Sequence, residues 1–274
     1  MRALASTFLF PGLGCFAQSP PGTYLKGQLR AAVVSAGCNG GTCTAIFDFR
    51  SAEVVEWPDN GGPFSGRVVV GKSLSCSSGD SESGGDSSDA IHRDASGRVR
   101  TELTLEPASA DGSQATGIAV ISDPVSDQVY LLDPVARVAW RIPLEVKRNS
   151  RGGGPALRNL KVPKARTAVA RGDGTSMISE PLGTCEIDGV EASGARTREE
   201  QLEPSSGSTQ SAVKDEYWVD AKWGTVLSLT TPAGRWAIED YVSGEPDASL
   251  FRVPPDYSIQ DARPGIFTIT VPRV

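Results

Sequence analysis

The chain of 274 residues contains a single histidine, His92. Ser-His and Cys-His hydrolases, and histidine-ligated metal sites, would therefore all depend on this one side chain. His92 alternates with Ile91 and Arg93 on a predicted strand, where a structural histidine is commoner than a catalytic one. No glycine-rich phosphate loop follows a strand and opens a helix, which is the arrangement that nucleotide binding uses. The sequence predicts no catalytic histidine, no metal site and no cofactor.

Carboxylates are the only plentiful catalytic groups. A glycosidase needs two carboxyl groups facing one sugar, about 5 Å or about 6.5 to 9.5 Å apart. Some acidic residues surround a predicted hairpin at 118–132, where Asp is typical of turns, and others lie near later aromatic residues: Asp123, Asp127, Asp133, Glu216, Asp220, Glu239 and Asp240. Four tryptophans could line a carbohydrate or lipid cleft, although aromatic residues on strands more often fill a core: Trp140, Trp218, Trp223 and Trp236. A carboxylate-dependent enzyme acting on carbohydrate stays open as an alternative.

The charge pattern argues against nucleic acid as a partner, because the formal net charge is −6. Against this acidic background, residues 146–172 contain eight basic residues and no acidic one: Lys147, Arg148, Arg151, Arg158, Lys161, Lys164, Arg166 and Arg171. This basic loop could dock lipid headgroups, anionic envelope polymers or the chain's own acidic loop, although charge runs are usually solvated. The acidic loop is the Ser, Gly, Asp and Glu run at 77–89, whose composition predicts a flexible polar segment.

The first 17 residues have the pattern of an export signal. Arg2 precedes a short apolar run, and Ala17 ends a cleavage site of small residues. The run falls short of the ~20 apolar residues that a membrane span needs, so no transmembrane span is expected after cleavage. A lipid attached at Cys15 is the alternative to a released protein. We expect residues 18–274 to form one exported domain, periplasmic or extracellular.

An oxidising compartment permits disulfides among the four cysteines beyond the signal. Cys38 and Cys43 flank a turn-rich insert between two predicted strands, which predicts a bridge within one hairpin. Three pairings are possible from the sequence, since Cys76 and Cys185 are also present. Four buried free thiols are the alternative.

Apolar and polar residues alternate along most of the chain, as in strands with one buried and one solvated face. Residues 137–142 show this most clearly, because bulky apolar residues alternate with Arg137, Ala139 and Arg141. Similar segments bring the total to about a dozen strands: 68–74, 91–94, 98–105, 117–122, 128–132, 185–190, 213–220, 225–229 and 235–241. A helical turn is predicted at 246–251. The predicted fold class is mainly β, with a single curved antiparallel sheet resembling a half-barrel, one or two short helices and long polar loops.

Several short phrases occur in a fixed order: Arg93-Asp94-Ala95-Ser96-Gly97-Arg98-Val99-Arg100-Thr101-Glu102, Ile121-Ser122-Asp123-Pro124, Tyr130-Leu131-Leu132-Asp133-Pro134, Ile187-Asp188-Gly189-Val190, Gly194-Ala195-Arg196-Thr197, Glu245-Pro246-Asp247-Ala248-Ser249-Leu250-Phe251 and Val253-Pro254-Pro255-Asp256-Tyr257. Through these phrases the chain resembles a family of uncharacterised exported bacterial proteins over residues 60–258. It departs from that family at the acidic and basic loops, and residues 266–274 extend beyond it. In layout alone it is more distantly similar to the half-barrels of periplasmic lipoprotein carriers and envelope-stress regulators. The resemblance implies export and brings no established reaction.

These observations lead to the hypothesis of a soluble, non-catalytic protein of the cell envelope that binds an apolar or amphipathic ligand, or a protein partner. The first alternative is a carboxylate-dependent enzyme of glycosidase type. The second is a structural module that recognises partners through its basic loop. The oligomeric state stays open.

Overall fold

A computed structural model of the chain describes residues 32–50, 54–55, 62–74, 88–106, 116–143, 146–147, 160–202, 209–232 and 234–272. Within these ranges the chain forms eighteen strands and one short 3-10 helix, Ala248–Phe251. The strands are β1 Ala32–Asn39, β2 Thr42–Asp48, β3 Val54–Val55, β4 Phe64–Val70, β5 Ser88–Arg93, β6 Val99–Glu106, β7 Thr116–Asp123, β8 Gln128–Asp133, β9 Val138–Pro143, β10 Val146–Lys147, β11 Thr167–Ala170, β12 Thr175–Ile187, β13 Val190–Leu202, β14 Thr209–Asp220, β15 Val226–Thr231, β16 Gly234–Ser243, β17 Ser258–Asp261 and β18 Ile266–Pro272.

One sheet contains thirteen of these strands, in the order β11-β12-β13-β14-β15-β16-β4-β5-β6-β7-β8-β9-β17. Neighbouring strands are antiparallel except at one end, where β17 pairs with β9 in parallel. Most of the order follows the chain, since strands that are consecutive in sequence pair with each other. The prediction of a mainly β fold with about a dozen strands in one large sheet is confirmed. The sheet is mixed, however, where a wholly antiparallel one was predicted.

A second sheet of three strands, β1-β2-β18, was not predicted from the sequence. Alternate residues of β2 are buried, including Phe47, and they share one apolar cluster with Ile269 of β18 and with Ile118 and Leu131 of the large sheet. The small sheet therefore covers one face of β6 to β9. Strands β3 and β10 form a separate parallel pair.

A C-terminal segment, residues 245–257, covers the other face of β7 to β9; we call it the C-terminal strap. Val253 and Tyr257 pack against a small cluster of Ile121, Leu132 and Ala139. The predicted helical turn lies in this strap as the 3-10 helix, and Asp247 caps it by accepting the N–H of Ser249 at 2.8 Å. Strands β7 to β9 are thus buried on both faces.

The strap contacts the β5–β6 hairpin. Glu245 accepts the N–H of Ala95 at 3.1 Å, and Arg100 donates to the carbonyl of Leu250 at 3.2 Å. The Arg98 guanidinium lies 5.3 Å from the centroid of the Phe251 ring, within the range of a cation-π contact. Residues 95–100 and 245–251 therefore contact each other, and these contacts attach the strap to the β5–β6 hairpin.

Three tight turns repeat one pattern, in which an aspartate at a strand end accepts two backbone N–H groups of the turn that follows. Asp123 accepts from Val125 and Ser126, and Asp133 and Asp220 do the same in their own turns. The predicted turn role of Asp123 and Asp133 is confirmed. Aspartate suits this position because its short carboxylate reaches the N–H groups two and three residues ahead.

The predicted bridge between Cys38 and Cys43 is present in the structure, where the two residues are direct partners in the β1–β2 hairpin. Cys185 is disulfide-bonded as well. Its partner lies outside the described residues. The hypothesis that all four cysteines are free thiols is therefore wrong.

We expect the Cys38→Ala variant to lose about 2 kcal/mol of free energy of unfolding, because the bridge restricts a short loop of the unfolded chain. Chemical denaturation measures this loss. The double variant Cys38→Ala, Cys43→Ala is the comparison. Because Cys43 is fully buried, this variant adds the loss of a core side chain to the loss of the bridge. An unchanged midpoint for Cys38→Ala would show that the bridge contributes nothing.

Candidate functional site

The single histidine, His92, pairs with a serine, Ser65, on the neighbouring strand. His92 on β5 lies directly opposite Ser65 on β4, and its Nδ1 is 2.9 Å from the Ser65 Oγ. Burial lowers the pKa of His92, which favours the neutral imidazole. The two residues are 27 positions apart in sequence, so only knowledge of the β4–β5 register would have brought them together.

The pair continues into a polar row across three strands. Arg100 on β6 lies opposite His92, donates to Glu102 at 2.6 Å, and also donates to the strap carbonyl of Leu250. A serine nucleophile needs a base that is itself oriented by a third group. In the described part of the chain, Ser65 is the hydrogen-bond partner of the imidazole, and Arg100 beside it is tied to the strap. The row therefore cross-links strands β4, β5 and β6 to the strap.

The predicted acidic residues of the later strands are each held by described partners. Glu216 contacts Arg196 at 2.8 Å, Asp240 contacts the Nε of Arg67 at 2.6 Å, and Glu239 contacts both Arg67 and Lys72. Asp220 is 2% exposed and accepts the Tyr241 hydroxyl at 2.9 Å in addition to its turn N–H groups. These contacts place the carboxylates in ion pairs and turns.

The tryptophans divide between core and surface. Trp218 and Trp236 are buried within the main apolar cluster, which also contains Tyr217 and Tyr241. Trp140 is partly buried against Phe267 of the small sheet. Trp223 is the exposed exception, and the Lys222 ammonium lies 4.8 Å from its ring centroid. The buried rings serve as core, as the alternation of their strands favours.

The acidic loop ends earlier than predicted. Its residues 77–87 lie outside the described residues, whereas Ser88 and Asp89 belong to β5. Asp89 accepts the N–H of Thr104 at 3.1 Å, and burial raises its pKa to about 6. Asp89 is therefore a partly buried residue of strand β5. In the described ranges, no group of three acidic, His or Cys side chains is arranged to hold a metal ion.

The basic segment 146–172 differs from the continuous loop that was predicted. Lys147 belongs to β10, Arg148, Arg151 and Arg158 lie outside the described residues, and Thr167–Ala170 forms the edge strand β11. Leu160 and Val162 pack against the main core, and the Lys161 carbonyl accepts the Tyr217 hydroxyl at 3.1 Å. The segment is thus anchored before it reaches the edge. Lys161, Lys164, Arg166 and Arg171 are all exposed there.

Strands β11 to β14 extend beyond the rest of the sheet. β15 pairs with β14 only over Glu216–Val219, so the first half of β14 has β13 as its described neighbour. We define the charged ribbon as residues 166–180, 196–202 and 209–215. Its described ion pairs lie along β13 and include Arg198–Glu180 at 3.5 Å, Arg198–Glu200 at 3.1 Å and Lys214–Glu199 at 2.8 Å.

The outer edge of the charged ribbon is strand β11. All four of its residues are exposed, and Val169 is 63% exposed. The Arg171 N–H donates to the Thr175 carbonyl at 2.8 Å and so points toward β12. Because backbone direction alternates along an antiparallel strand, Thr167 and Val169 also point toward β12, whereas Ala168 and Ala170 point outward. Two N–H and two C=O groups therefore face away from the sheet.

The charges of this surface were predicted from the sequence, but its edge strand was not. The signal was available in Thr167–Ala170, a short uncharged run with Thr and Val in alternation between Arg166 and Arg171. The run is only four residues long and stands between basic residues, so the charge of the segment dominates its local pattern.

No family model matches the chain, and no curated protein matches it either. Among the described residues, no helix has the length and apolar character to cross a membrane.

Proposed function

We propose that this chain is an exported, non-catalytic protein of the cell envelope that binds a protein partner through its charged ribbon. One observation carries the proposal: the ribbon extends past β15 and ends in an exposed edge strand. Exposed edges are templates for pairing with other chains, and proteins commonly blunt them with proline, inward charges or a covering segment. Strand β11 contains neither proline nor charge.

The described apolar surfaces support a protein partner over an apolar ligand. Phe64, Tyr217, Trp236 and Tyr241 are only 3 to 6% exposed, so these aromatic side chains already fill the core. Strands β7 to β9 are covered by the small sheet on one face and by the strap on the other. The exposed surface of the charged ribbon, in contrast, combines ion pairs with exposed Val169 and Val213, a mixture typical of protein interfaces.

Site-specific photo-crosslinking tests the proposal in cells that naturally make the chain. We expect a photoreactive residue at Val169 or at Val213 to give one discrete adduct of the same mass. Val125 and Val135 are matched controls, because both are exposed valines in turns far along the sheet from the ribbon. Absence of adducts at the ribbon, or equal adducts at all four positions, would contradict a binding role for this surface.

A further inference from the structure

We infer that the partner adds an extended segment as an antiparallel strand on the outer edge of β11, and that this segment carries acidic residues at both ends. The inference rests on the proposed function, because it names the partner chemistry of the same surface. It combines two observations: the outward backbone groups of β11 and the arginines that flank them.

The backbone of β11 is prepared for strand addition. Ala168 and Ala170 direct their N–H and C=O groups outward, so an added strand can form four main-chain hydrogen bonds without displacing any bond to β12. Their side chains are methyl groups, which leave room beside the added strand for larger residues of the partner. The register holds without a break from Thr167–Ser179 to Ala170–Ser176, so the edge is regular over its whole length.

The charges at the ends of β11 select the partner. Arg166 precedes the strand and Arg171 follows it, and both are exposed. Arg166 has one described ion pair, with Glu200 at 3.7 Å, in which its side chain stays 56% exposed. Asp173, the acidic residue nearest Arg171 in sequence, is held by the hydroxyl of Thr175 at 2.6 Å. Carboxylates opposite the two arginines would therefore meet accessible guanidinium groups.

The same charges disfavour a second copy of this chain as the occupant. Antiparallel self-pairing centred on Val169 would place Arg166 of each copy one position from Arg171 of the other. Like charges would then meet at both ends of the added pair, which is destabilising. The opposite edge of the large sheet, β17, carries acidic Asp261 bound to Arg141, so it lacks this basic frame.

Peptide binding to the full chain tests the inference. The probe is the blocked, labelled hexapeptide Asp-Thr-Val-Thr-Val-Glu, which places a carboxylate opposite each arginine; its control has Lys at both ends. We expect fluorescence anisotropy to show binding of the acidic peptide that weakens with added salt, and binding about tenfold weaker for the Lys-ended control.

Two variants separate the backbone from the charges. Ala168→Pro removes an outward N–H and leaves the β12 ladder intact, so we expect it to weaken acidic peptide binding about tenfold. Ala168→Val is the matched control, since it keeps the N–H and suits a strand. The double variant Arg166→Glu with Arg171→Glu should reverse the preference and bind the Lys-ended peptide more tightly, which decides the question even where proline disturbs the ribbon.

The outcomes distinguish this inference from the proposed function. Equal acidic peptide binding by wild type and Ala168→Pro, or no change in preference after charge reversal, would overturn strand addition. Discrete crosslinks from Val169 without any peptide binding would also overturn it while leaving the ribbon as a binding surface. Peptide binding that follows the expected pattern, with no crosslinks in cells, would support strand addition on β11. It would refute the proposal that the charged ribbon binds a protein partner in cells.

Discussion

Replacing Asp220 with alanine is expected to lower the free energy of unfolding by about 4 kcal/mol, the largest effect of any substitution considered for this chain. The carboxylate is 2% exposed and accepts three hydrogen bonds, from the N–H groups of Lys222 and Trp223 and from the Tyr241 hydroxyl. Alanine leaves these donors without their acceptor, and the hydroxyl lies in the core because Tyr241 is 4% exposed. Chemical denaturation monitored by tryptophan fluorescence measures the loss.

Asp123 offers a matched control, because it makes the same turn in a more exposed hairpin. Its carboxylate accepts the N–H groups of Val125 and Ser126 at 2.9 and 3.2 Å, and no described tyrosine contacts it. Asp123→Ala should therefore cost only about 1 kcal/mol. Tyr241→Phe, which removes the hydroxyl alone, should cost about 1.5 kcal/mol. Equal losses for the two aspartates would show that burial of Asp220 adds nothing.

The local features of this fold were predictable from the sequence. The hairpin at 118–132 and the short connection between the predicted strands 91–94 and 98–105 were predictable because Asp and Gly supply the turn chemistry within five residues. Gly97 has the positive φ of 82° that its turn position requires, and Asp94 accepts the Arg98 N–H at 2.8 Å. Such signals need no knowledge of distant contacts.

The non-local features were not predictable in the same way. Strand β12 extends from Thr175, yet only its last residues were predicted, since its first half has many exposed positions and lacks regular apolar alternation. The predicted strand at 185–190 actually contains the β12–β13 turn, with Asp188 and Gly189 at positive φ. The pairing of β16 with β4 and of β9 with β17 joins distant parts of the chain, which no local pattern specifies.

The candidate site shows the same division. The basic residues are evident from the sequence. Which backbone groups face outward between them depends on the β11–β12 register, which the sequence does not specify. Likewise, the Cys38–Cys43 bridge was accessible from spacing, whereas the Ser65–His92 contact needed the β4–β5 pairing. The function of an edge strand is therefore harder to predict than a turn or a disulfide. A strand is an edge because no other strand pairs with it on one side, and this depends on pairing between distant parts of the chain.

Asp89→Asn is expected to stabilise the chain at neutral pH by about 3 kcal/mol and to have little effect near pH 4. Partial burial raises the pKa of Asp89 from 3.8 to about 6, so above that pH the folded chain must hold a carboxylate that is unfavourably desolvated. The size follows from about two pH units at about 1.4 kcal/mol each. Asparagine keeps an acceptor for the N–H of Thr104, so the strand contact survives the substitution.

The sign of the pH dependence follows from proton binding. Between pH 4 and 6 the folded state binds more protons at Asp89 than the unfolded state, so stability from this group is present at low pH and declines as pH rises. Asp173 is the opposite case, because the hydroxyl and N–H of Thr175 lower its pKa. The charged Asp173 stabilises the folded state, so Asp173→Asn should become less stable than wild type as pH rises. Denaturation of both variants and wild type at several pH values from about 2.5 to 7.5 measures these differences, and the change for Asp173 falls mainly near and below the ordinary pKa of 3.8, because the folded-state pKa lies under that value. A difference between Asp89→Asn and wild type that stays constant across this range would show that Asp89 titrates as an ordinary surface carboxylate, and that the β5–β6 interior admits its charge without cost.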